Sequence, residues 1–394
     1  MLTWDPLPDL TYWIFFRPGT SVAAAETGAI VIKNAVTPRA VLGLTNGTEY
    51  AFVMNATQKD SAAGPSSPVV TAMTRLAGDA WTPGPTPIAP QNLNALASSG
   101  FSRFVTVGDA TTILYGDFNY GNPNPVGVTA WLPPNPLPVG FAGDLKAVIY
   151  NGLFVALGAN GAVATSSDGV TWTAQHLVSS AGVTGLNGLA FGFIQGNGTY
   201  IAVGNVGQIY TTSDLTQEWK LDTSANNPND LTSIALLNGA FFVTGADGTL
   251  LVNKGGGAGW EPQSTGTSST LRGATFMPNA PLGAVRFVVV GDAGAVVTTT
   301  DVPSVGLATW TSIVLPGAQD LRSVTVGGAT GLRFMAVGLV GAAVFGDSVL
   351  SGIPVTNIQW TPASKPATGD WSSVLFFVGQ YLAVGAAGAS AVSH

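Results

Sequence analysis

"DAWTPGP", residues 79–85, has the composition of an inter-domain tether and one residue that a tether does not need. Pro and Gly punctuate a chain at turns and linkers. A solvent-exposed linker gains nothing from Trp81. The alternative is that Trp81 belongs to a structure completed hundreds of residues later. The rest of the sequence has to decide which.

Beyond residue 80 the chain repeats itself, and repeats outrank every local signal. The marker is a β-type run that ends in Gly, then two residues, then a second Gly. It occurs as "VTVGDAT" (Gly108), "VALGANG" (Gly158), "IAVGNVG" (Gly204), "FVTGADG" (Gly245), "VVVGDAG" (Gly291), "MAVGLVG" (Gly338) and "LAVGAAG" (Gly385). The intervals are 50, 46, 41, 46, 47 and 47 residues, and only the first copy replaces the second Gly, with Thr111. These glycines are expected to supply positive φ in a tight turn. Each unit opens on a strand headed by Leu or Trp371, as in "DLKAVIY" and "DLRSVTV". A second strand leads into the Gly turn and a third follows it. A fourth carries Trp131, Trp172, Trp219, Trp260, Trp310 or Trp360. Four short strands at this period are the signature of propeller blades.

The seventh unit stops after three strands, and Trp81 has no unit before it. Trp81 lies 27 residues ahead of Gly108, and the other Trp-to-Gly gaps are 27, 32, 26, 31, 28 and 25. Trp81 therefore has the position of a fourth strand. The fold expected is all-β, with residues 80–394 forming a seven-bladed β-propeller. Its ring closes when residues 80–84 pair with the C-terminal strand near 389–393, which removes an open sheet edge. The tether shrinks to "RLAGD", residues 75–79.

Residues 1–75 alternate as a β-sandwich does. "LTWDP" and "YWIFFRPG" read as strands with Trp4 in the core, and "AAGPSSPVVTAMT" as a final turn and strand. "LTNGTEYAFVMNAT" carries Leu44, Thr48 and Tyr50 in the spacing of a tyrosine corner. Together these resemble a fibronectin type III domain whose first strand is missing, either trimmed or donated by a partner. "SSDGVTW" (166–172) resembles the Asp-box turn of sialidase-type propellers, and "TSDLTQEW" (213–219) is a weaker copy. The repeats are also similar to those of photosystem II assembly-factor-like propellers. The Asp-box resemblance implies that Asp168 and Asp214 cap their own turns, and says little about function.

Composition narrows the possibilities. Charged residues make up 9% of the 394, against about 25% in an ordinary soluble protein. That balance suits an extracellular, virion or filament protein. The net charge of −7 and the lack of a basic run argue against nucleic acid. There is no Cys, and the histidines are His176 and His394. No secretion signal follows Met1, as expected of a processed or trimmed chain. Residues 371–394 carry no charged side chain and mimic a membrane span, but they match the repeat and are read as strands.

Two sets of residues stand out as site candidates. Asp144, Asp230, Asp320 and Asp370 immediately precede the first strand of a blade, with Lys146, Arg272 and Arg322 just inside. Asp109, Asp247 and Asp292 occupy the second-to-third-strand turns. All should gather at one mouth of the central channel, as a polar or cation-binding site or as turn caps. The opposite face carries inserts in blades 1, 5 and 6, including Phe118 and Tyr120, and the repeated Arg103, Arg286 and Arg333. That face is expected either to bind a partner or to cradle the first domain. Glu218 and Glu261 lie at the outer edge, so a sialidase-type nucleophile is not in reach of the axis. A two-carboxylate glycosidase would use Asp144 with Asp320 or Asp370. No cofactor motif is present, and nothing supports a structural cation such as calcium. The expected function is a non-enzymatic binding or scaffold protein at a cell surface or outside the cell. Its partner would be a glycan or a protein. Self-assembly as a filament, virion or surface-layer subunit and glycoside hydrolysis are the alternatives.

Overall fold

The computed structural model describes the chain except residues 1, 3, 38, 40, 42–43, 45–47, 59–60, 74–76, 86–89, 119–127, 129, 139–140, 176–177, 179–182, 184, 257–258, 304–307, 318, 328–332, 351–352, 364–368 and 394. It separates into two compact units, Met1–Leu76 with 120–126, and Ala77–Asn119 with Gly127–His394.

Among the described residues the second unit is a β-propeller of seven antiparallel sheets, with a two-stranded pair, Val349–Leu350 and Ile353–Pro354, beside them. Their inner strands, here strand A of blades 1 to 7, are Leu93–Ser98, Leu145–Tyr150, Leu186–Ile194, Leu231–Leu237, Leu271–Phe276, Leu321–Gly327 and Trp371–Phe377. Each neighbours the next, and the seventh neighbours the first, so the ring is closed. Strands B to D follow outward in chain order. Blade 1 has three full strands, and beyond them isolated bridges join Tyr115 to Leu132 and Phe118 to Val128.

The B strands explain the apolar runs. Phe154–Gly158, Phe287–Gly291 and Gln380–Gly385 are buried at every position, because a blade's middle strands are covered on both faces. Each core cluster is shared between adjacent blades. Ile201 and Val203 of blade 3, for example, pack with Ile234, Phe241 and Val243 of blade 4. The charge-free stretch from residue 371 is thus the inner three strands of blade 7. No helix among the described residues is long and apolar enough to cross a membrane.

The first glycine of each marker does a different job from the one expected. Gly291 and Gly385 have φ of −161° and −170°, extended backbone that any residue adopts. What forbids a side chain is crowding. A Cβ would stand 1.8 Å from the Asp320 carbonyl oxygen at Gly338, and 1.9 Å from that of Asp370 at Gly385. The second glycine of each marker is the one with positive φ, from 67° at Gly207 to 84° at Gly161, and Thr111 takes its place at 61°.

A second row of small residues was not anticipated from the sequence. The third position of strand A is Ala95, Ala147, Gly188, Ser233, Gly273, Ser323 or Ser373. Here neighbouring inner strands crowd each other around the axis. A Cβ on Gly188 would stand 2.9 Å from the Ile234 amide nitrogen.

The ring closes where the Trp spacing puts it. Trp81, Thr82 and Pro83 pair antiparallel with Ser393, Val392 and Ala391. Trp81 is buried, and its Nε1 donates to the Gly78 carbonyl at 3.2 Å, as Trp172 Nε1 donates to Gly169 at 3.1 Å. Gly78 N donates to Ser393 Oγ at 2.8 Å, and Ala77 is buried too. The expected tether 75–79 is therefore too long, since Ala77 and Gly78 already belong to the ring.

The first unit contains one four-stranded antiparallel sheet, order β2-β1-β3-β4, with β1 Leu10–Pro18, β2 Ile30–Ala35, β3 Glu49–Gln58 and β4 Val70–Met73. Strand alternation gives it two apolar faces. Tyr12, Ile14, Phe16, Tyr50 and Phe52 form one, against Trp4 and Leu44. Phe15, Ala51 and Val53 form the other, against Val22. Trp4 is in the core as expected, 5.5 Å from the Tyr12 ring. The described residues of "LTWDP" form no strand, however. Leu2 makes an isolated bridge to Arg39, and no second sheet is found among the described residues.

Candidate functional site

The four aspartates ahead of strand A are latches between blades. Asp144, Asp230, Asp320 and Asp370 each accept, through Oδ1, the backbone N–H of the preceding blade's B–C turn. The donors are Ala110 (3.0 Å), Val206 (2.8 Å), Ala293 (2.9 Å) and Val340 (2.7 Å). Asn92 repeats the bond across the closure, to Ala387 N at 3.1 Å. All five donors have positive φ, between 51° and 55°. In every blade the carbonyl of the same pre-A residue (Gly185 and Thr270 in blades 3 and 5) accepts the first amide of its own B–C turn. One residue thus ties two turns, and a carboxylate does so with the stronger, charge-assisted bond.

The cations behind them are also engaged. Lys146 Nζ contacts Asp109 at 2.9 Å and Asp144 at 3.4 Å. Arg272 grips Asp292 through Nε and Nη2 at 2.5 and 2.6 Å. Arg322 reaches Asp320 at 3.1 Å and Asp292 at 3.7 Å, and its Nε is buried with no partner among the described residues. Burial pushes the Asp109 carboxyl upward. Hydrogen bonds from Asn94, Lys146 and Asn92 outweigh that and leave it below the usual carboxylate range. Asp247 is an exposed turn residue at φ 51°.

Together the second residues of strand A line a cavity of about 320 Å3 on the axis: Asn94, Lys146, Asn187, Thr232, Arg272, Arg322 and Ser372. Each blade contributes at least one polar side chain to it, and Ser233, Ser323 and Ser373 add a second in blades 4, 6 and 7. Its cations are already balanced by carboxylates at the rim, so the socket offers hydrogen bonds more than net charge.

Two interface candidates on the opposite face are corrected by the structure. Arg333 is 5% exposed, bonded to Asp347 at 2.7 and 2.8 Å, and lies 4.1 Å from the Phe345 ring centroid. It also donates to the Ala77 carbonyl at 3.3 Å, so it fastens the closure segment. Phe118 is buried between Phe104 and Phe377. Arg103 makes the same cross-strand pair, to Asp117 at 2.6 Å, and stays more open. Arg286 has Thr300 where the other two have Asp, and its side chain has no partner among the described residues. Tyr120 lies outside the described residues. The blade 6 insert folds back on blade 5: Val355 N donates to Ser348, and Val285 N to Val355.

Asp168 Oδ1 accepts the amides of Thr171 and Val170, both at 2.8 Å, and these bonds, Thr171 foremost, hold its carboxyl below the usual range. Asp214 does the same with Thr216. Both are turn caps. Glu261 is paired with Lys254 at 2.8 Å, and His176 and His394 lie outside the described residues. Among the described residues no group of three or more His, Asp or Glu could hold a metal.

The ring is similar to solved structures of YCF48. One, titled "YCF48 bound to D1 peptide", is 16% identical, with a TM-score of 0.57, covering 79% of this chain and 96% of that one. A second, YCF48 from Cyanidioschyzon merolae, is 16% identical with a TM-score of 0.57, covering 80% of this chain and 98% of that one. At that identity the likeness concerns the fold. No protein-family model matches the sequence, and no curated protein does.

Proposed function

We propose that the chain is a non-enzymatic binding or scaffold protein whose propeller receives a polar segment of a protein partner at the axial socket. One observation carries this: the cavity of about 320 Å3 is built from a polar side chain of every blade. Its Lys146, Arg272 and Arg322 are fixed by rim carboxylates, so the socket is organised before a ligand arrives. That one similar propeller was solved with a peptide bound supports a peptide-sized partner. In this reading residues 1–75 are a fibronectin type III-like domain and 80–394 the platform. The low charged content favours a protein at a cell surface or outside the cell.

The same composition favours, as a second reading, a structural subunit that assembles with copies of itself. A single monomeric mass at high concentration would remove it. The glycosidase reading loses ground, because Asp144, Asp320 and Asp370 are each committed to a latch.

A peptide-display selection against the whole chain tests the socket. Enriched peptides should protect the backbone amides at the start of strand A from exchange, and should be lost from a Lys146→Ala/Arg322→Ala variant that still folds. Peptides that bind the variant equally well, or no enrichment, contradict the reading.

A further inference from the structure

One concave surface of the ring is away from the axis. It lies between blades 3 and 4, with a volume of about 1060 Å3. Its wall is the A–B hairpin of blade 3, whose strands of 9 and 8 residues, Leu186–Ile194 and Asn197–Gly204, are the longest in the ring. The hairpin tip is pinned to blade 4, where Gln195 N donates to the Gly255 carbonyl at 2.6 Å. Asp222 of blade 3 accepts Trp260 Nε1 of blade 4 at 3.0 Å, a second tie between the two sides.

From this geometry we infer that the groove is a binding site for an uncharged oligosaccharide. The lining holds four side-chain amides, three threonines, two serines, three carboxylates and one lysine, with Ile194 and Gly259 the remaining two. Amides and hydroxyls both donate and accept, which is the pattern sugar hydroxyls present in return. A carboxylate can accept from two neighbouring hydroxyls at once. One lysine against three acids serves an anionic ligand badly. One isoleucine gives an apolar ligand no anchor. The volume exceeds that of a typical small-molecule pocket, roughly 300–1,000 Å3, and leaves room for several sugar rings.

Three of these groups are unspent. Among the described residues the Gln195 amide, the Glu218 carboxylate and the Lys220 ammonium make no hydrogen bond or ion pair with another side chain. The rim carboxylates that form latches are bound in blade after blade. These occur on one blade only and support no repeated contact. The site is independent of the axial socket, and either can stand without the other.

Titration calorimetry on the full chain tests it. The probes are neutral gluco-, manno-, galacto- and N-acetylglucosamine oligosaccharides of roughly three to five units, beside an Asn/Ser/Gly-rich peptide of similar length. At least one sugar series should bind. Affinity should fall at least about tenfold in Gln195→Ala and in Glu218→Ala, and stay unchanged in Val314→Ala, an exposed side chain on the outer strand of blade 5. Thermal unfolding checks that each variant folds, and Glu218→Gln tests the carboxylate without loss of volume. The inference is overturned if no sugar binds at about 10 mM, if the peptide binds and the sugars do not, or if binding survives Gln195→Ala and Glu218→Ala.

Discussion

The propeller concentrates polar side chains in two places, and they are spent differently. At the channel mouth nearly every charged group is already bound. Asp144, Asp230, Asp320 and Asp370 hold the neighbouring turn, and Lys146, Arg272 and Arg322 hold carboxylates. In the groove between blades 3 and 4, the side chains of Gln195, Glu218 and Lys220 make no hydrogen bond or ion pair with another side chain among the described residues. A polar residue that recurs from blade to blade serves the repeat itself, because each unit is stable only through its neighbours. One that occurs on a single blade has no such duty and is available for a ligand.

That contrast can be broken by substitution, and the largest effects belong to repeated positions. Gly338→Ala should cost about 3 kcal/mol or more, since the new methyl would overlap the Asp320 carbonyl oxygen. Chemical denaturation reads it, and an unchanged midpoint would mean that strand B does not approach strand A so closely. Next is Arg333→Ala, which leaves Asp347 and the Ala77 carbonyl without their partner and should cost about 3 kcal/mol. Arg103→Ala removes the same cross-strand pair where it is open to solvent and should cost under about 1 kcal/mol. Equal losses would refute the role given to Arg333 in ring closure.

Smaller effects sharpen the picture. Asp370→Ala should lower the melting temperature by a few degrees, while Glu218→Ala leaves it in place. A drop for Glu218→Ala would make the groove part of the repeat's own scaffold. Val340 is β-branched, exposed and held at φ 55°, a region that costs a non-glycine residue about 1–2 kcal/mol. Val340→Gly should therefore raise stability slightly, after the entropy of the added glycine is subtracted. Acid gives the mildest test. Asp109 and Asp168 have folded pKa values below their unfolded ones, near 3.9. Their stabilisation is complete above that range and lost as pH falls through the folded values. Melting temperature should be flat near neutrality and decline in acid, less steeply in Asp168→Asn.

The periodic part of the molecule was legible in the sequence, because one Gly and one Trp mark each blade. Trp81 could be assigned by counting alone. The reason for the marker glycine was not legible, since the atom that crowds it belongs to the residue ahead of strand A, at the other end of the A–B hairpin. The aspartate ahead of strand A was visible as a pattern, but its partner lies in the neighbouring blade. Arg103 and Arg333 share one motif, and only the closure segment laid over Arg333 separates them. The groove escaped notice because it joins a hairpin, an outer strand and a turn of the next blade, none of them unusual alone. The longer "FGFIQGNGTY" of blade 3 was the available clue.

The ring depends on its closure by the segment around Trp81. The chain has no cysteine, so a Thr82→Cys/Val392→Cys pair would carry its only thiols. These two residues face each other across the closing strands. If the ring closes as described, the pair should form an intramolecular disulfide in the folded protein. The bond should raise stability by about 4–5 kcal/mol, because the loop it closes is so long. Thiols that stay free under mild oxidation, or that cross-link only between molecules, would contradict the closure and the seven-blade ring with it.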